Sequence, residues 1–525
     1  MYEFKADNAG THWWHSHTGL QLGDGLHGAF IVREPPETDP HSALYTEDRH
    51  VMVINDWPDP PQMYRYMEEM QDQWIVPMPI NVLVNGRGRK HLVSPPVNST
   101  YNATYTPFQR FTVYPDTRYR FRVIAAATRC FFRLSVDSHP MMVIASDGVP
   151  IKSATVESLI IHPGERYDFV LHTMDNPSGS FWIRIEALGD CKPASGHGAA
   201  ILYYETCEIC NENIPLPVGD PFAFTYTGLV MNPEIDILTA HTGNNLHLSD
   251  LRYETSSDEN YTTETVHSRH YLHLRYQTND NSHYSHPTLY PQSSRMGLLT
   301  PTINNITNFI PAIPLATQWD DVKDKRFCNA STLDTTNDCN NDLCHCTHLL
   351  DVQLGQVVEL FMYSQSEDPH QMHLHGYSFR VLGSGWVHNA TYPDAYQTIT
   401  MDDVINRDKA GEFPRNLVNP VYKDTVTVGS KGGYAIIRFK ADNPGIWLFH
   451  CHNEGHMMQG MALVFKVGNT NQFPVPPAYF PVCGKTITDM QTKNLHPTSA
   501  SDGLNTCAFI FGFALLYKYV CFDLI

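Results

Sequence analysis

Residues 450–456 of the sequence spell HCHNEGH and are followed by Met461. A thiolate, imidazoles and a thioether are the ligands of a type 1 (blue) copper site, which uses two His, one Cys and a distant axial Met. A stretch this short that offers all three ligand types rarely arises by chance. The segment therefore predicts a copper site around Cys451.

The two histidines beside Cys451 indicate a second metal centre. The preceding residues Gly445–Phe449 (GIWLF) are typical of a buried strand. Neighbouring side chains of a strand point to opposite faces of the sheet. Cys451 can therefore face one copper while His450 and His452 face another centre, which predicts an electron path through a single peptide.

Two further clusters carry histidines at strand spacing. Residues 370–376 read HQMHLHG, and residues 13–19 read WWHSHTG. Side chains two apart share one face of a strand. With 28 His in the chain, about one or two His-x-His pairs are expected by chance, so an isolated pair fits surface or hydrogen-bonded histidines equally well. Beside the Cys-Met segment, we interpret both clusters as metal ligands.

In these motifs the sequence resembles the multicopper oxidases, and most closely their insect-type (arthropod) laccases. That group carries four copper motifs of the forms HWHG, WHSH, HPMHLHG and HCHxExHxxxGM. The last three have counterparts here, at residues 14–17, 370–376 and 450–461. Context segments also match, namely residues 24–28 (DGLHG), 83–89 (LVNGRGR), 163–168 (PGERYD) and 423–426 (KDTV). The resemblance extends from about Gly10 to Gly484.

The resemblance implies a role for each matching residue. The expected type 1 ligands are His370, Cys451, His456 and the axial Met461. The expected ligands of the coupled type 3 pair are His15, His17, His375, His450 and His452. His373 is expected to bind the type 2 copper, and Glu454 to pass protons to the reduced oxygen. Gln371 replaces the usual Pro of the third motif, which loosens the backbone but removes no ligand.

The first motif of the family, HWHG, does not occur in the 525 residues. It supplies one type 2 and one type 3 ligand, so the sequence presents eight of the family's ten copper histidines, and the trinuclear cluster is expected to be incomplete. We interpret the chain as lacking the start of its first domain, with a natural short form as the alternative. His12 and His27, which flank the His15–His17 pair, are the first candidates to substitute for the missing ligands.

Composition favours an extracellular protein. Potential N-glycosylation sequons occur at Asn98, Asn102, Asn260, Asn305, Asn329 and Asn389. Twelve cysteines, one reserved for copper, are enough for several disulfides in an oxidising compartment. Cys328, Cys339, Cys344 and Cys346 lie close to His345 and His348, so a zinc site is the alternative there, but the spacing fits no common zinc pattern. The net charge of -19 argues against nucleic acid or an anionic membrane as a partner.

The fold prediction is all-β, with tandem cupredoxin-like Greek-key sandwiches. Short β-rich runs separated by Gly, Pro, Asn and Asp support it. They are His50–Asn55, Tyr119–Ala125, Phe131–Val136, Arg166–Leu171, Val357–Tyr363, Tyr434–Lys440 and Gly460–Val467. The resemblance implies the end of a first cupredoxin domain at 1–45, a second domain at 46–213 and a third, with the type 1 copper, at 214–485. We interpret the polar stretch His241–Ser294 as an excursion outside the core.

The tail of the chain comprises residues 486–525. Residues 507–516 are apolar, but Lys518 and Asp523 interrupt the remaining residues, and a transmembrane helix needs about 20 apolar residues. Ser499, Ala500 and Ser501 precede the apolar run, as in a lipid-anchor signal. Two interpretations stay open, a membrane anchor signal and an unstructured end.

The sequence supports two hypotheses for function. The first, implied by the resemblance, is a laccase-like copper oxidoreductase that takes single electrons from a phenol and reduces dioxygen to water. Ferrous iron or ascorbate could replace the phenol as the reductant. The second is a non-catalytic copper-binding protein with an intact type 1 site and a defective cluster.

Overall fold

The computed structural model of the chain describes residues 4–58, 61–64, 66, 80–88, 107–177, 179–192, 196–205, 216–237, 244–254, 264–279, 298–322, 326–333, 339–340, 343–388, 391–477, 480, 482–483 and 522–524. The predicted sequons at Asn98, Asn102, Asn260 and Asn389 lie outside these residues, as does nearly all of the tail. The side chains of Asn305 and Asn329 are half-buried.

Strands make up most of the regular secondary structure of the described chain, which confirms the all-β prediction. The first unit contains β1 (Gly10–Ser16) and β2 (His27–Val32). The middle unit contains β3 (Glu47–Pro58), β4 (Ile80–Val84), β5 (Gln109–Val113), β6 (Arg118–Ala125), β7 (Phe132–Val136), β8 (Met141–Ser146), β9 (Val149–Val156), β10 (Ser158–Ile161), β11 (Arg166–His172), β12 (Phe181–Ala187), β13 (Gly198–Tyr204), β14 (Val230–Met231) and β15 (Asn245–Leu246).

The carboxyl-terminal part continues the strand architecture. Its strands are β16 (Ser268–Asn279), β17 (Leu298–Ile303), β18 (Ile306–Asn308), β19 (Phe327–Cys328), β20 (Cys339–Asn340), β21 (Leu343–Val352), β22 (Val357–Ser364), β23 (His370–Leu374), β24 (Phe379–Trp386), β25 (Tyr422–Lys423), β26 (Thr425–Val428), β27 (Gly433–Lys440), β28 (Gly445–Cys451), β29 (Ala462–Val467) and β30 (Phe522–Leu524). Two helices accompany them, α1 (Met401–Lys409) and α2 (Glu454–Met458).

The middle unit is a sandwich of two sheets. Their strand orders are β4-β3-β6-β11-β8-β9 and β15-β14-β10-β7-β12-β13-β5. Both sheets mix antiparallel with parallel pairs, such as β3 with β6 and β5 with β13, because the chain crosses between the sheets. Phe121 and Phe169 of the first sheet and Leu134 and Ile183 of the second are buried in one core. Apolar residues on the inner faces of two packed sheets are the main source of stability in such folds.

The carboxyl-terminal strands also form two connected layers, and β21 joins them. Residues 344–346 of β21 pair with β18, and residues 349–352 pair with β29. From β18 the ladder runs through β17, β16, β22, β27 and β24, and from β29 it runs through β28, β23 and β26. Strand β23 carries histidines of the 370–376 motif, and β28 ends in the 450–456 motif. The two strands are therefore neighbours in the middle of one layer.

The interpretation of His241–Ser294 as an excursion is wrong for residues 268–279. These form β16, which pairs in parallel with β22 and antiparallel with β17. Leu272 and Leu274 are buried in the core, while polar residues alternate with them. The strand was missed because only two apolar side chains mark its inner face.

The β1–β2 hairpin packs onto the middle unit. Trp13 is fully buried against Ile124 and Ala126 of the six-stranded sheet. At its other edge β1 pairs antiparallel with β30, so that edge is occupied rather than open. Packing against the middle unit and pairing with β30 thus hold β1 and its histidines in place.

Several of the described cysteines form disulfides. Cys130 is bonded to Cys191 and Cys328 to Cys346, with Cα–Cα distances of 5.8 and 6.0 Å. Cys344 is also disulfide-bonded, which favours disulfides over the zinc alternative. The free cysteines of the described part are Cys451 and Cys483. Among the described residues, no helix combines the length and apolar character needed to cross a membrane.

Candidate metal centres

The register between β23 and β28 sorts the histidines onto two faces. Met372 lies opposite Cys451, and His373 lies opposite His450. Opposed residues of an antiparallel pair point to the same side, and consecutive residues alternate. His370, two residues before Met372, therefore shares the face of Cys451, while His373 shares the face of His450. The register thus places the two groups of side chains on opposite faces of the sheet.

On the first face, two imidazoles converge on the thiol. Cys451 Sγ lies 3.7 Å from His370 Nδ1 and 3.5 Å from His456 Nδ1. The ligand atoms of all three residues lie within 4.8 Å of one another. This is the donor set of a type 1 copper site, so the residues present fit that metal.

A short helix brings His456 back to Cys451. Asn453 caps α2, and its side chain accepts hydrogen bonds from the backbone N–H groups of Gly455 and His456. Such a cap satisfies N–H groups that have no partner within the helix. Met461 follows in the next turn, fully buried, and its carbonyl accepts a hydrogen bond of 3.0 Å from the Cys451 N–H. The turn thus fixes Met461 beside the Cys451 backbone.

Burial sets the protonation of this group. It lowers the pKa of His370 well below its usual range and that of His456 to about 3, with Arg129 adding to the effect on His456. It also raises the pKa of the Cys451 thiol to about 12. The imidazoles are therefore neutral with free lone pairs, and the thiol would release its proton when a metal binds.

On the second face, histidines from three motifs meet. The ligand atoms of His17, His375 and His450 lie within 4.8 Å of one another, and the Nε2 atoms of His375 and His450 are 3.0 Å apart. The His15 ring centroid lies 5.2 Å from those of both His17 and His452. Six histidines thus form one continuous group, completed by His373, whose ring lies 5.0 Å from His375.

Backbone carbonyls fix the orientation of several of these rings. The Nδ1 atoms of His15, His373 and His450 lie 3.1, 2.9 and 2.9 Å from the carbonyl oxygens of residues 16, 424 and 451. A ring that donates from Nδ1 keeps the Nε2 lone pair for a metal, which is the usual second contact of a metal-binding histidine. Burial and the neighbouring His17 hold the pKa of His450 well below its usual range, so this ring is neutral.

Glu454 lies at the start of α2 in a buried position. Its Oε2 accepts a hydrogen bond of 3.2 Å from the Gly23 N–H, and its own N–H donates to the Thr128 carbonyl. Burial raises the pKa of Glu454 to about 8. A carboxyl group in this environment holds its proton at neutral pH, as a proton donor requires.

Sequence reasoning missed the roles of two side chains at these centres. The Tyr276 hydroxyl lies 2.9 Å from His456 Nε2 and donates to Asp368 Oδ2 at 2.8 Å. Tyr276 belongs to β16, and no motif marked it. Arg166 forms two hydrogen bonds of 2.6 Å to the Asp424 carboxylate, next to His373. Arg166 and Asp424 lie in the PGERYD and KDTV segments, whose match to the family signalled importance but not mutual contact.

Comparison with known proteins agrees with this geometry. Three family models, each described as multicopper oxidase, match residues 1–37, 48–206 and 311–471. The chain belongs to the multicopper oxidases. Members of this family are copper-dependent oxidoreductases that use a reducing substrate and dioxygen. The sequence-based recognition of the family is confirmed.

Several laccases are similar to this multicopper oxidase over most of its length. Laccase-2 of Pleurotus ostreatus is 27% identical, with 92% of this chain and 73% of the relative covered. Laccase-1 of Fomitopsis schrenkii is 28% identical, with 92% and 74% covered.

Solved structures support the cupredoxin-like fold. The laccase from Botrytis aclada superimposes with a TM-score of 0.61 at 22% identity, covering 90% of this chain and 73% of that one. Fet3p, described as a multicopper oxidase that functions in iron import, also gives 0.61, at 20% identity with 88% and 72% covered. These likenesses concern the fold alone.

Proposed function

We propose that this chain is a laccase-like oxidase that oxidises a phenolic or similar small donor by single electrons and reduces dioxygen to water. The observation that carries the proposal is the position of Cys451. Its thiol belongs to the first group of metal-ligating side chains, while His450 and His452, bonded to it in sequence, belong to the second. The assignment to the insect-type subgroup rests on the motif forms in the sequence.

The proposed ligand roles follow the two faces. His370, Cys451, His456 and Met461 would hold the type 1 copper. The type 3 pair would be held by His15, His17, His375, His450 and His452, and the type 2 copper by His373. When bound, the copper ions would supply one-electron acceptance at the first site and four-electron reduction of dioxygen at the second.

The protein's own groups support electron and proton delivery. His456 is half-buried, whereas Cys451 is fully buried, so a donor would pass its electron to the type 1 site through the His456 ring. The peptide chain from Cys451 to His450 and His452 joins the two sites covalently. Glu454, which is buried and protonated, would deliver protons to the oxygen atoms as they are reduced to water. We place the protein outside the cell, where its disulfides are stable.

The proposal is tested by oxygen uptake of the copper-loaded chain, joined at its amino terminus to a segment that carries HWHG, with a phenol, ferrous iron and ascorbate as separate donors. Preference for the phenol supports the laccase-like assignment, and preference for ferrous iron or ascorbate replaces it with the corresponding oxidase. The copper-free protein is the control for each donor.

One observation favours a second candidate, a non-catalytic copper-binding protein. The HWHG motif, which supplies two cluster ligands in the family, does not occur in the 525 residues. Uptake of type 1 copper without oxygen consumption for any of the three donors, even when the segment that carries HWHG is joined to the chain, would support this candidate.

A further inference from the structure

The middle unit, from β3 to β15, contains none of the proposed copper ligands, yet one of its segments reaches the elements that carry them. The segment is the turn before β11 and its first residue, Pro163–Arg166. Gly164 and Arg166 are buried. Each N–H group of a buried guanidinium needs an acceptor, because an unpaired buried donor is costly. The acceptors of Arg166 therefore show which segments it stabilises.

Arg166 uses its planar group to join three segments at once. Its Nε donates to the Thr11 carbonyl at 3.2 Å, and Nη1 donates to the Gly164 carbonyl at 3.2 Å. Nη1 and Nη2 also form the two bonds of 2.6 Å to Asp424. Only the fork geometry of arginine can make this set of contacts, since lysine offers a single nitrogen.

Each of the three contacted segments carries a proposed ligand of the cluster or touches one. Thr11 is on β1, the strand that carries His15. The carbonyl of Asp424 holds the Nδ1 atom of His373 at 2.9 Å. Gly164 lies so close to the His452 ring that a Cβ atom would come within 2.8 Å of it, and its φ of +87° suits glycine.

We propose that Arg166, together with Gly164, is a positioning residue for the trinuclear copper cluster and is supplied by the unit without ligands. The inference rests on the proposed function. The Arg166 guanidinium binds β1 and the Asp424 segment directly, and it holds Gly164 against His452. It thereby sets the relative position of three segments from distant parts of the sequence. The geometry of the type 1 group does not depend on it, because none of its bonds reaches His370, Cys451 or His456.

The first test uses the copper-free full chain and hydrogen exchange followed by mass spectrometry. Arg166→Lys keeps the charge but loses the fork. We expect at least tenfold faster amide exchange in residues 10–16 and 424–428. Arg438→Lys is the matched control, because Arg438 is also buried and pairs with Glu359 at 2.6 Å in the carboxyl-terminal sheets. Unchanged exchange in both segments of Arg166→Lys, or equal acceleration in Arg438→Lys, overturns the proposal.

The second test measures copper. In Arg166→Lys we expect the blue absorption to persist while the affinity of the cluster for copper falls about 10- to 100-fold, the usual effect of removing a residue that orients metal ligands. Gly164→Ala, which keeps every charge and presses on His452, should act in the same direction. Equal loss of type 1 and cluster copper would overturn the positioning role. Wild-type protein without cluster copper would instead contradict the proposed function, while the exchange test would still decide the role of Arg166.

Discussion

At the scale of single residues, the molecule depends most on Cys451, because its side chain and its two neighbours serve different groups. The register of β23 against β28 makes this separation unavoidable. A shift of one residue would turn His370 to the face opposite Cys451, and the thiol would lose this partner. The chemistry of the site is thus an outcome of strand pairing.

The first prediction concerns this thiol. Copper-loaded wild-type protein should absorb strongly in the visible range through thiolate-to-copper charge transfer, and Cys451→Ser should abolish that band, because a hydroxyl is a poor ligand for this soft site. Cys483→Ser is the control, since Cys483 is the other free cysteine of the described part. A blue band that survives in Cys451→Ser would refute the assignment.

The second prediction concerns Glu454. In the chain joined to a segment that carries HWHG, Glu454→Gln should slow oxygen reduction on the order of 100-fold, because the amide keeps the shape but cannot give an acidic proton. Donor oxidation and the blue band should remain nearly unchanged. Stopped-flow measurement of the two half-reactions separates these effects. Equal slowing of both would mean that Glu454 is structural.

Much of the site could be predicted at this scale, and the reason is local spacing. His450, Cys451 and His456 lie in one short segment, so their ligand character was readable from sequence. Tyr276 and Arg166 could not be assigned, because their partners lie 180 and 258 residues away and no local pattern encodes such contacts.

At the scale of elements, β16 shows where pattern reasoning fails. Its two buried leucines are separated by polar residues, and its neighbours in the sheet are β17 and β22, far apart in sequence. The strands recognised from sequence, such as β6 and β27, carry nearly continuous apolar runs. A strand with only two buried apolar side chains is recognised from its pairing with neighbouring strands in the structure.

The third prediction follows from the place of Tyr276 on β16. Because His456 faces Cys451 through Nδ1, its Nε2–H donates to Tyr276, which donates to Asp368. Tyr276→Phe removes this support and should weaken type 1 copper binding about 10-fold or more. Tyr271→Phe is the control, since Tyr271 is on the same strand but bonds to Asp408. Competition with a copper chelator measures the affinities. Equal weakening in both variants would contradict a role of the Tyr276 hydrogen bonds in copper binding.

The fourth prediction concerns β21 and the dependence of stability on pH. His348 is fully buried, its ring nitrogens have no hydrogen-bond partner among the described residues, and burial, with His270 second, lowers its pKa to about 3. The unfolded chain, with a pKa near 6.5, therefore binds more protons between pH 6.5 and pH 3. Stability from His348 is complete above pH 6.5 and is lost as the pH falls toward 3.

His348→Leu should therefore flatten the fall of the unfolding free energy between pH 6.5 and 4.5, by up to about 1.4 kcal/mol per pH unit. Urea unfolding of the copper-free protein at several pH values measures it. His345→Leu, an exposed position on the same strand, should leave the slope unchanged. A slope that His348→Leu does not alter would show that this ring titrates normally.

At the scale of the whole molecule, the cluster is assembled from segments near the two ends of the chain. His15 and His17 come from the first hairpin, and the other proposed ligands come from β23 and from residues 450–456. The predicted domain bounds of 1–45, 46–213 and 214–485 stay predictions. Sequence motifs predict the candidate ligands, whereas the contacts between the middle unit and the segments that carry them are visible only in the fold.

The last prediction concerns the 525-residue chain as a catalyst. The family's ligand set requires two histidines from an HWHG motif that these residues do not contain, whereas the type 1 set is complete. We therefore expect the chain alone to take up type 1 copper and show the blue band, yet to consume no oxygen with a phenolic donor. Joining a segment that carries HWHG to the amino terminus should restore turnover.

Copper content and oxygen uptake measured on the same preparation decide the matter. Robust turnover by the chain alone would mean that other histidines complete the cluster.

The two flanking candidates are poorly placed for this. His12 lies against Gly148, with Nε2 3.1 Å from the Asn8 carbonyl, and as an even-numbered residue of β1 it faces away from His15. His27 is paired with His15 across the hairpin but lies outside the group formed by His17, His375 and His450. If turnover occurs, His27→Ala should abolish it and His12→Ala should not, because only His27 shares the face of the cluster.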